Sequence, residues 1–236
     1  MNDDVVSEAD FYSNTAASSG YMAVKSAEAV TGLTVTVTPK DSVTFPKTIT
    51  IDFGTEGIIG KRGNTLKGKL IVVISDRMWK VNSSKTITFD NFYVNENKIT
   101  GSKTITNKGL NAERNPYSTI SVKDTVTRAD GAQVIWNSER TRERIDNGGT
   151  PLNYTDDKFS ITGSSSGVNA KGVAYTMVIE PTNPLIAYNN YRHFVQGSVT
   201  MSTEKRTALM DYGDGTKDDI ATVTINGVTK EIKLRR

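Results

Sequence analysis

Two segments concentrate the side chains that could do chemistry. Near the end of the chain, Asp211-Tyr212-Gly213-Asp214-Gly215-Thr216 runs on into Asp218 and Asp219, so four carboxylates share one glycine-rich stretch. Calcium is held by about six to eight oxygens from carboxylates and carbonyls on a flexible loop, and this composition suits it. The spacing is not that of an EF-hand loop. The plainer alternative is a structural β-turn in which each aspartate bonds its own backbone. Asp211, Asp214, Asp218 and Asp219 are the candidate metal ligands, and calcium is the one cofactor considered.

The second segment is Trp136-Asn-Ser-Glu-Arg-Thr-Arg-Glu-Arg144. On a strand, Trp136, Arg140, Arg142 and Arg144 share one parity while Glu139 and Glu143 take the other. Three guanidinium forks in a row beside an indole suit a carboxylated or sulfated sugar. The competing interpretation is an exposed strand whose arginines pair with neighbouring acids, each pair contributing little. Aromatic residues also cluster, at Phe89, Phe92 and Tyr93 and again at Tyr188, Tyr191 and Phe194. They are read as core or rim, with sugar stacking as the alternative. His193, the sole histidine, shares parity with Tyr191 and Val195 and is expected half-buried.

Composition narrows the classes. Cysteine is absent, which removes disulfides, thiol catalysis and zinc–thiolate sites. Ser164-Ser-Ser-Gly167 reads as a flexible turn and lacks the Gly-x-Ser-x-Gly of a nucleophile elbow. There is no P-loop and no dinucleotide fingerprint. With 29 basic and 26 acidic residues the net charge is +3, so a dedicated nucleic-acid partner is not expected. Mean hydropathy is −0.41. The longest apolar run, 70–74, is far short of the roughly 20 residues of a spanning helix.

Residues 1–30 are polar and rich in small side chains, and they read as an N-terminal tether, with a short helix over 3–12 as the alternative. From Gly32 onward the hydrophobic period is two. Leu33/Val35/Val37, Ile49/Ile51/Phe53, Val173/Tyr175/Met177/Ile179 and Ala221/Val223/Ile225 alternate with threonines and other polar residues. Turn signals separate the runs at Asn95-Glu-Asn97, Asn107-Lys-Gly109, Ala129-Asp-Gly131, Asn169-Ala-Lys-Gly172 and Asn226-Gly227. Residues 31–236 are therefore expected to form a single all-β domain, a mainly antiparallel meander making a β-sandwich or a curved, open, barrel-like sheet. Residues 70–74 and 134–136 are apolar on both parities and are expected to be covered on both faces.

The phrases Pro46-Lys-Thr-Ile-Thr-Ile-Asp-Phe-Gly54, Ile87-Thr-Phe-Asp-Asn-Phe-Tyr-Val-Asn95, Ile135-Trp-Asn-Ser-Glu-Arg-Thr-Arg142, Asp211-Tyr-Gly-Asp-Gly-Thr216 and Ala221-Thr-Val-Thr-Ile-Asn-Gly227 occur in that order. In this the chain resembles uncharacterised secreted lipoproteins of gut Bacteroidetes, from residue 45 to its end. The resemblance implies an exported protein at the periplasmic or cell-surface face of the outer membrane, held by a lipidated cysteine upstream of residue 1. It also implies, in relatives, a cysteine in each Asp-aromatic-Gly turn, near Ile58 and Lys217, and so a meeting of the first and last turns.

The expected function is a non-enzymatic binding or interaction module, monomeric, for a glycan or host-surface ligand, with the membrane reached only through its anchor. The alternative is a carrier of a hydrophobic ligand inside an open β-barrel. A two-carboxylate hydrolase is the least supported class, because no spacing here sets the carboxylate separation that such chemistry needs.

Overall fold

The computed structural model describes residues 32–60, 63–146, 148–149 and 155–234. The expected tether over 1–30 lies outside these. Among the described residues there is no helix, and fifteen strands form one large antiparallel sheet. They are β1 Thr34–Thr38, β2 Lys47–Asp52, β3 Ile58–Ile59, β4 Thr65–Ile74, β5 Ser84–Val94, β6 Asn97–Leu110, β7 Pro116–Thr127 and β8 Gln133–Asp146. There follow β9 Lys158–Val168, β10 Ala174–Ile179, β11 Leu185–Tyr188, β12 Gln196–Thr203, β13 Thr207–Asp214, β14 Ile220–Ile225 and β15 Val228–Lys233. Sequence order is followed across most of the sheet, as short turns between period-two segments require. Two strands lie off this path: β3 pairs with β4, and β11, end to end with β10, pairs with β9 and β12.

The chain divides into two compact units. Unit 1 comprises residues up to Asn107 together with Val122–Ile135, and unit 2 comprises Lys108–Ser121 and Trp136 onward. In unit 1, register aligns the apolar parity of each strand into rows, Val35 beside Ile51 beside Leu70 beside Phe89, and Ile49 beside Val72 beside Ile87. Thirteen residues of these rows and their flanks, from Leu33 to Ile99, form one buried cluster, and that makes unit 1 the apolar store of the molecule. Phe92 is 0% exposed and packs against Phe53 and Phe89 with centroids 5.6 and 5.7 Å away. The opposite face carries threonines, with Thr86 and Thr104 hydroxyls 3.1 Å apart. Residues 70–74 are fully covered on one face only, because Ile71 and Val73 on the threonine face stay half-buried.

In unit 2 the buried apolar cluster is Ile179, Leu185 and Val199, flanked by Ile161, Met177, Phe194 and Tyr212. Ser138, Asp157 and Ser165 are buried as well.

The two Asp-aromatic-Gly turns are built alike, one per unit. Asp52 Oδ1 accepts the Gly54 N–H at 2.9 Å, and Asp211 Oδ1 accepts the Gly213 N–H at 2.8 Å. Each aromatic enters its own core: Phe53 is 1% exposed, and Tyr212 meets Phe194 edge-on at 5.2 Å. Each turn closes on a strand with an irregular register. Gly54 O accepts from Gly68 at the β4 irregularity, and Gly215 donates to Val195 O beside that of β12. A Cβ on Gly68 would stand 2.0 Å from Asn91 O, and one on Gly197 would stand 1.9 Å from Pro184 O. Both positions have positive φ, so glycine is what lets the chain pass.

Two expected turns are strands. Asn107-Lys-Gly109 lies inside β6, and the reversal comes later, where Asn111 Oδ1 accepts the Asn115 N–H at 2.8 Å. Asn107 instead turns its side-chain amide to the Met78 and Lys80 carbonyls, both at 3.0 Å. Ser164-Ser-Ser-Gly167 lies in β9 and is laddered to β10, Ser165 opposite Met177. Backbone pairing on a covered strand outweighs the weak strand preference of serine and glycine.

Candidate functional site

The arginine row lies on β8, and alternation sends Trp136, Ser138, Arg140, Arg142 and Arg144 to one face. That face is the core side of unit 2. Arg142 stacks on Phe159, which shares its parity on β9 with Ile161, and Ile161 pairs with the buried Leu185 of β11. A row that the sequence could equally place in water is therefore half-buried beside an apolar cluster. Gly163 makes the approach of β9 to β8 possible at this point. Its φ is +126°, and a Cβ there would stand 2.2 Å from Glu139 O and 2.8 Å from the Arg140 Cα.

Each arginine has its own environment. The Arg140 guanidinium carbon stands 5.5 Å from the Trp136 ring centroid. That of Arg142 is 3.5 Å from the Phe159 centroid, and Arg142 Nη2 donates to Asn189 Oδ1 at 2.9 Å. Cation–π contacts of this kind contribute about 0.5–1 kcal/mol when exposed and about 2 when desolvated. Arg144 Nη1 lies 3.5 Å from Asp157 Oδ2, with the Asp157 side chain 3% exposed and that of Arg144 27%. A carboxylate so buried needs a partner, and the pair is structural as much as available. Asp157 Oδ1 is also buried and accepts no hydrogen bond among the described residues.

The four aspartates of the C-terminal turn do not converge. Asp211 Oδ1 takes the Gly213 N–H, and Asp214 Oδ1 takes both the Thr216 N–H at 3.1 Å and the Thr216 hydroxyl at 2.8 Å. Asp218 Oδ1 accepts from the Ile220 N–H at 3.0 Å, and Asp219 pairs with Lys233 at 3.3 Å. Thr216, through its hydroxyl first and its amide second, holds the Asp214 carboxyl below its ordinary range. No group of three or more His, Cys, Asp or Glu that could hold a metal forms among the described residues. Asp211, Tyr212, Asp214, Asp218 and Ala221 line a hollow of about 100 Å³. That is room for a few waters, well under the roughly 300 Å³ at which small-molecule sites begin.

The two segments meet on one connection, residues 189–195 between β11 and β12. Arg142 reaches Asn189 on the core side. From the carboxylate turn, Lys217 Nζ stands 4.0 Å from the Tyr188 centroid, 5.9 Å from that of Tyr191 and 3.4 Å from Asn190 Oδ1. Lys158 Nζ approaches Tyr188 as well, at 5.8 Å. Asn189 N–H donates to Asp157 O at 3.1 Å, and Tyr191 N–H closes the turn on Tyr188 O at 3.2 Å. His193 is half-buried with its ring 6.1 Å from Tyr191, edge-on. Tyr188 and Tyr191 thus serve a cation-lined rim, whereas Phe92 and Phe194 fill cores.

Sequence reasoning missed Asp157, Phe159, Asn189 and Lys217. The alternation of Phe159 with Ile161 was the one signal available, and it marks a strand face without showing which strand it would meet. No protein-family model, no curated protein and no solved structure matches this chain.

Proposed function

We propose that this chain is an exported, lipid-anchored β-module that binds its partner without transforming it, and that the partner is an acidic glycan. Its export and anchoring rest on the sequence resemblance. The single observation that carries the binding reading is the guanidinium of Arg142, laid 3.5 Å above the Phe159 ring and tied to Asn189, between Arg140 and Arg144 on one face. Holding the fork in place beforehand lowers the entropy lost when it takes a carboxylate or sulfate. Trp136 beside Arg140 supplies an apolar ring face on which a sugar can stack. The carrier of hydrophobic ligands has less in its favour, because the large apolar side chains of unit 1 are spent on one another.

The test is binding of the chain to uronic-acid, sialylated and sulfated oligosaccharides against neutral ones of the same length. Acidic ligands should bind and weaken with added salt, and Arg142→Ala should lower affinity about tenfold, as expected for loss of a charge-assisted contact of about 1.5 kcal/mol. Equal binding of neutral and acidic sugars, or full retention by Arg142→Ala, would sink the proposal.

A further inference from the structure

We propose that the end of unit 1 bearing Trp79 docks on the surface of a bilayer that displays anionic headgroups. Register places two connections at this end. Lys47, the first residue of β2, pairs with Ile74, the last of β4, and Ile74 pairs in turn with Lys85 near the start of β5. The β1–β2 connection, 39–46, and the β4–β5 connection, 75–83, therefore leave neighbouring strands on the same side, about 5 Å apart across each pair.

Three large apolar side chains stand in water there. Trp79 is 74% exposed, Val43 68% and Val81 61%. Scattered exposed apolar residues are ordinary, but an indole and two valines fall here on two connections that leave neighbouring strands.

The exposure of Trp79 is built into the loop. Asp76 Oδ1 accepts the Arg77 N–H at 2.7 Å, and Lys80 Nζ donates to Asp76 Oδ2 at 2.6 Å. Lys80 N–H returns to Arg77 O at 2.9 Å. On either side of the indole, the carbonyls of Met78 and Lys80 are both held by the Asn107 amide. Met78 itself packs on the buried cluster. The tryptophan is thus the outward-facing middle of an anchored turn.

Charge selects the partner. Lys40, Arg77 and Lys80 lie on the two connections against Asp41 and Asp76, and both acids are bound by local partners. Asp41 Oδ1 takes the Val43 and Thr44 N–H groups at 2.8 and 2.6 Å, and Asp76 is held by Lys80 and the Arg77 amide. An indole at headgroup depth, valines at the acyl boundary and the exposed Lys40 and Arg77 reaching phosphates are the parts of an interfacial anchor. A sugar platform would instead pair the indole with open acceptors, and Asp76, the carboxylate on the same connection, is already committed to Lys80 and the Arg77 amide.

The experiment is co-sedimentation of the 236-residue chain with vesicles of phosphatidylcholine alone or mixed with phosphatidylglycerol. The mixed vesicles should retain the chain and release it as salt rises. Trp79→Ala with Val81→Ser should lower partitioning at least about tenfold, since each removes exposed apolar surface that the bilayer would cover. Arg77→Glu should weaken it too. All three positions are exposed or on the loop surface, so unchanged thermal melts separate lost docking from lost folding. Arg142→Ala should leave vesicle binding intact. No retention by anionic vesicles, retention unaffected by Trp79→Ala, or loss through Arg142→Ala alone would each overturn the proposal. So would binding of a neutral glycan through Trp79 without any vesicle binding.

Discussion

Unit 1 and unit 2 are laid out from the same strand pattern, and each carries one Asp-aromatic-Gly turn closed by the same aspartate-to-glycine bond. Their core-side faces differ in kind. The unit 1 rows are isoleucine, leucine, valine and phenylalanine from Leu33 to Ile99. In unit 2 the same parity carries Ser138, Arg140, Arg142 and Arg144 on β8, and Asp157 beside Phe159 at β9. Even the matched aromatics follow this division: Phe53 is fully buried, while Tyr212 is half-buried at the rim of a smaller cluster. The contrast teaches that unit 1 spends its face on stability and unit 2 gives up apolar burial to hold cations in place. A face that holds three guanidinium groups cannot also be a dry core.

Core truncations probe this contrast most strongly. Phe92→Ala empties a position that is 0% exposed between two rings, and should destabilise unit 1 by about 3–5 kcal/mol in denaturant melts. Tyr212→Ala should cost about 1–3 kcal/mol, as its ring is only partly covered. Equal losses would show that the two cores contribute alike and would break the comparison.

Gly163→Ala comes next. A Cβ 2.2 Å from Glu139 O at φ +126° forces β9 off β8, at about 2–4 kcal/mol. Acidic-glycan binding should fall with it, whereas Gly68→Ala in unit 1 should reduce stability and leave affinity per folded molecule unchanged.

Acid should act more gently. The Thr44 and Val43 amides, in that order, lower the Asp41 carboxyl from its ordinary 3.8 to about 2. A folded value below the unfolded one means that this contribution is whole above 3.8 and is lost as pH falls through about 2. Asp41→Asn should therefore flatten part of the melting-temperature slope in that window, and an unchanged slope would remove Asp41 from the account. Calcium should do least. With each carboxylate of the 211–219 turn engaged by its own backbone, Thr216 or Lys233, melts in calcium and in chelator should coincide. A clear upward shift would show that the turn reorganises around the ion.

Much of the fold was legible because it is local. Period-two alternation places β1, β2, β10 and β14, and Asn226-Gly227 joins β14 to β15 with φ of 50° and 78°. Asn95-Glu96 does the same between β5 and β6, at 47° and 66°. Both are turns that a dipeptide can specify. The failures at Asn107-Lys-Gly109 and Ser164-Ser-Ser-Gly167 have a shared cause. Turn-prone residues there are held in a ladder by the strands beside them, Ser164–Gly167 by β10, and Asn107 is drawn to carbonyls at 78 and 80.

The sequence by itself determined that β8 carries its arginines on one face with Trp136, because alternation along a strand is a property of consecutive residues. It also determined the aspartate–glycine chemistry of both turns, a bond that spans two positions. Only the tertiary structure decided that this face turns toward the core, that Arg142 lies on Phe159 and reaches Asn189, and that Asp157 sits beneath Arg144. Arg142 and Asn189 are 47 positions apart. Contacts of that kind are set by which strands become neighbours and in what register, and a one-residue slip would send every arginine to the other face.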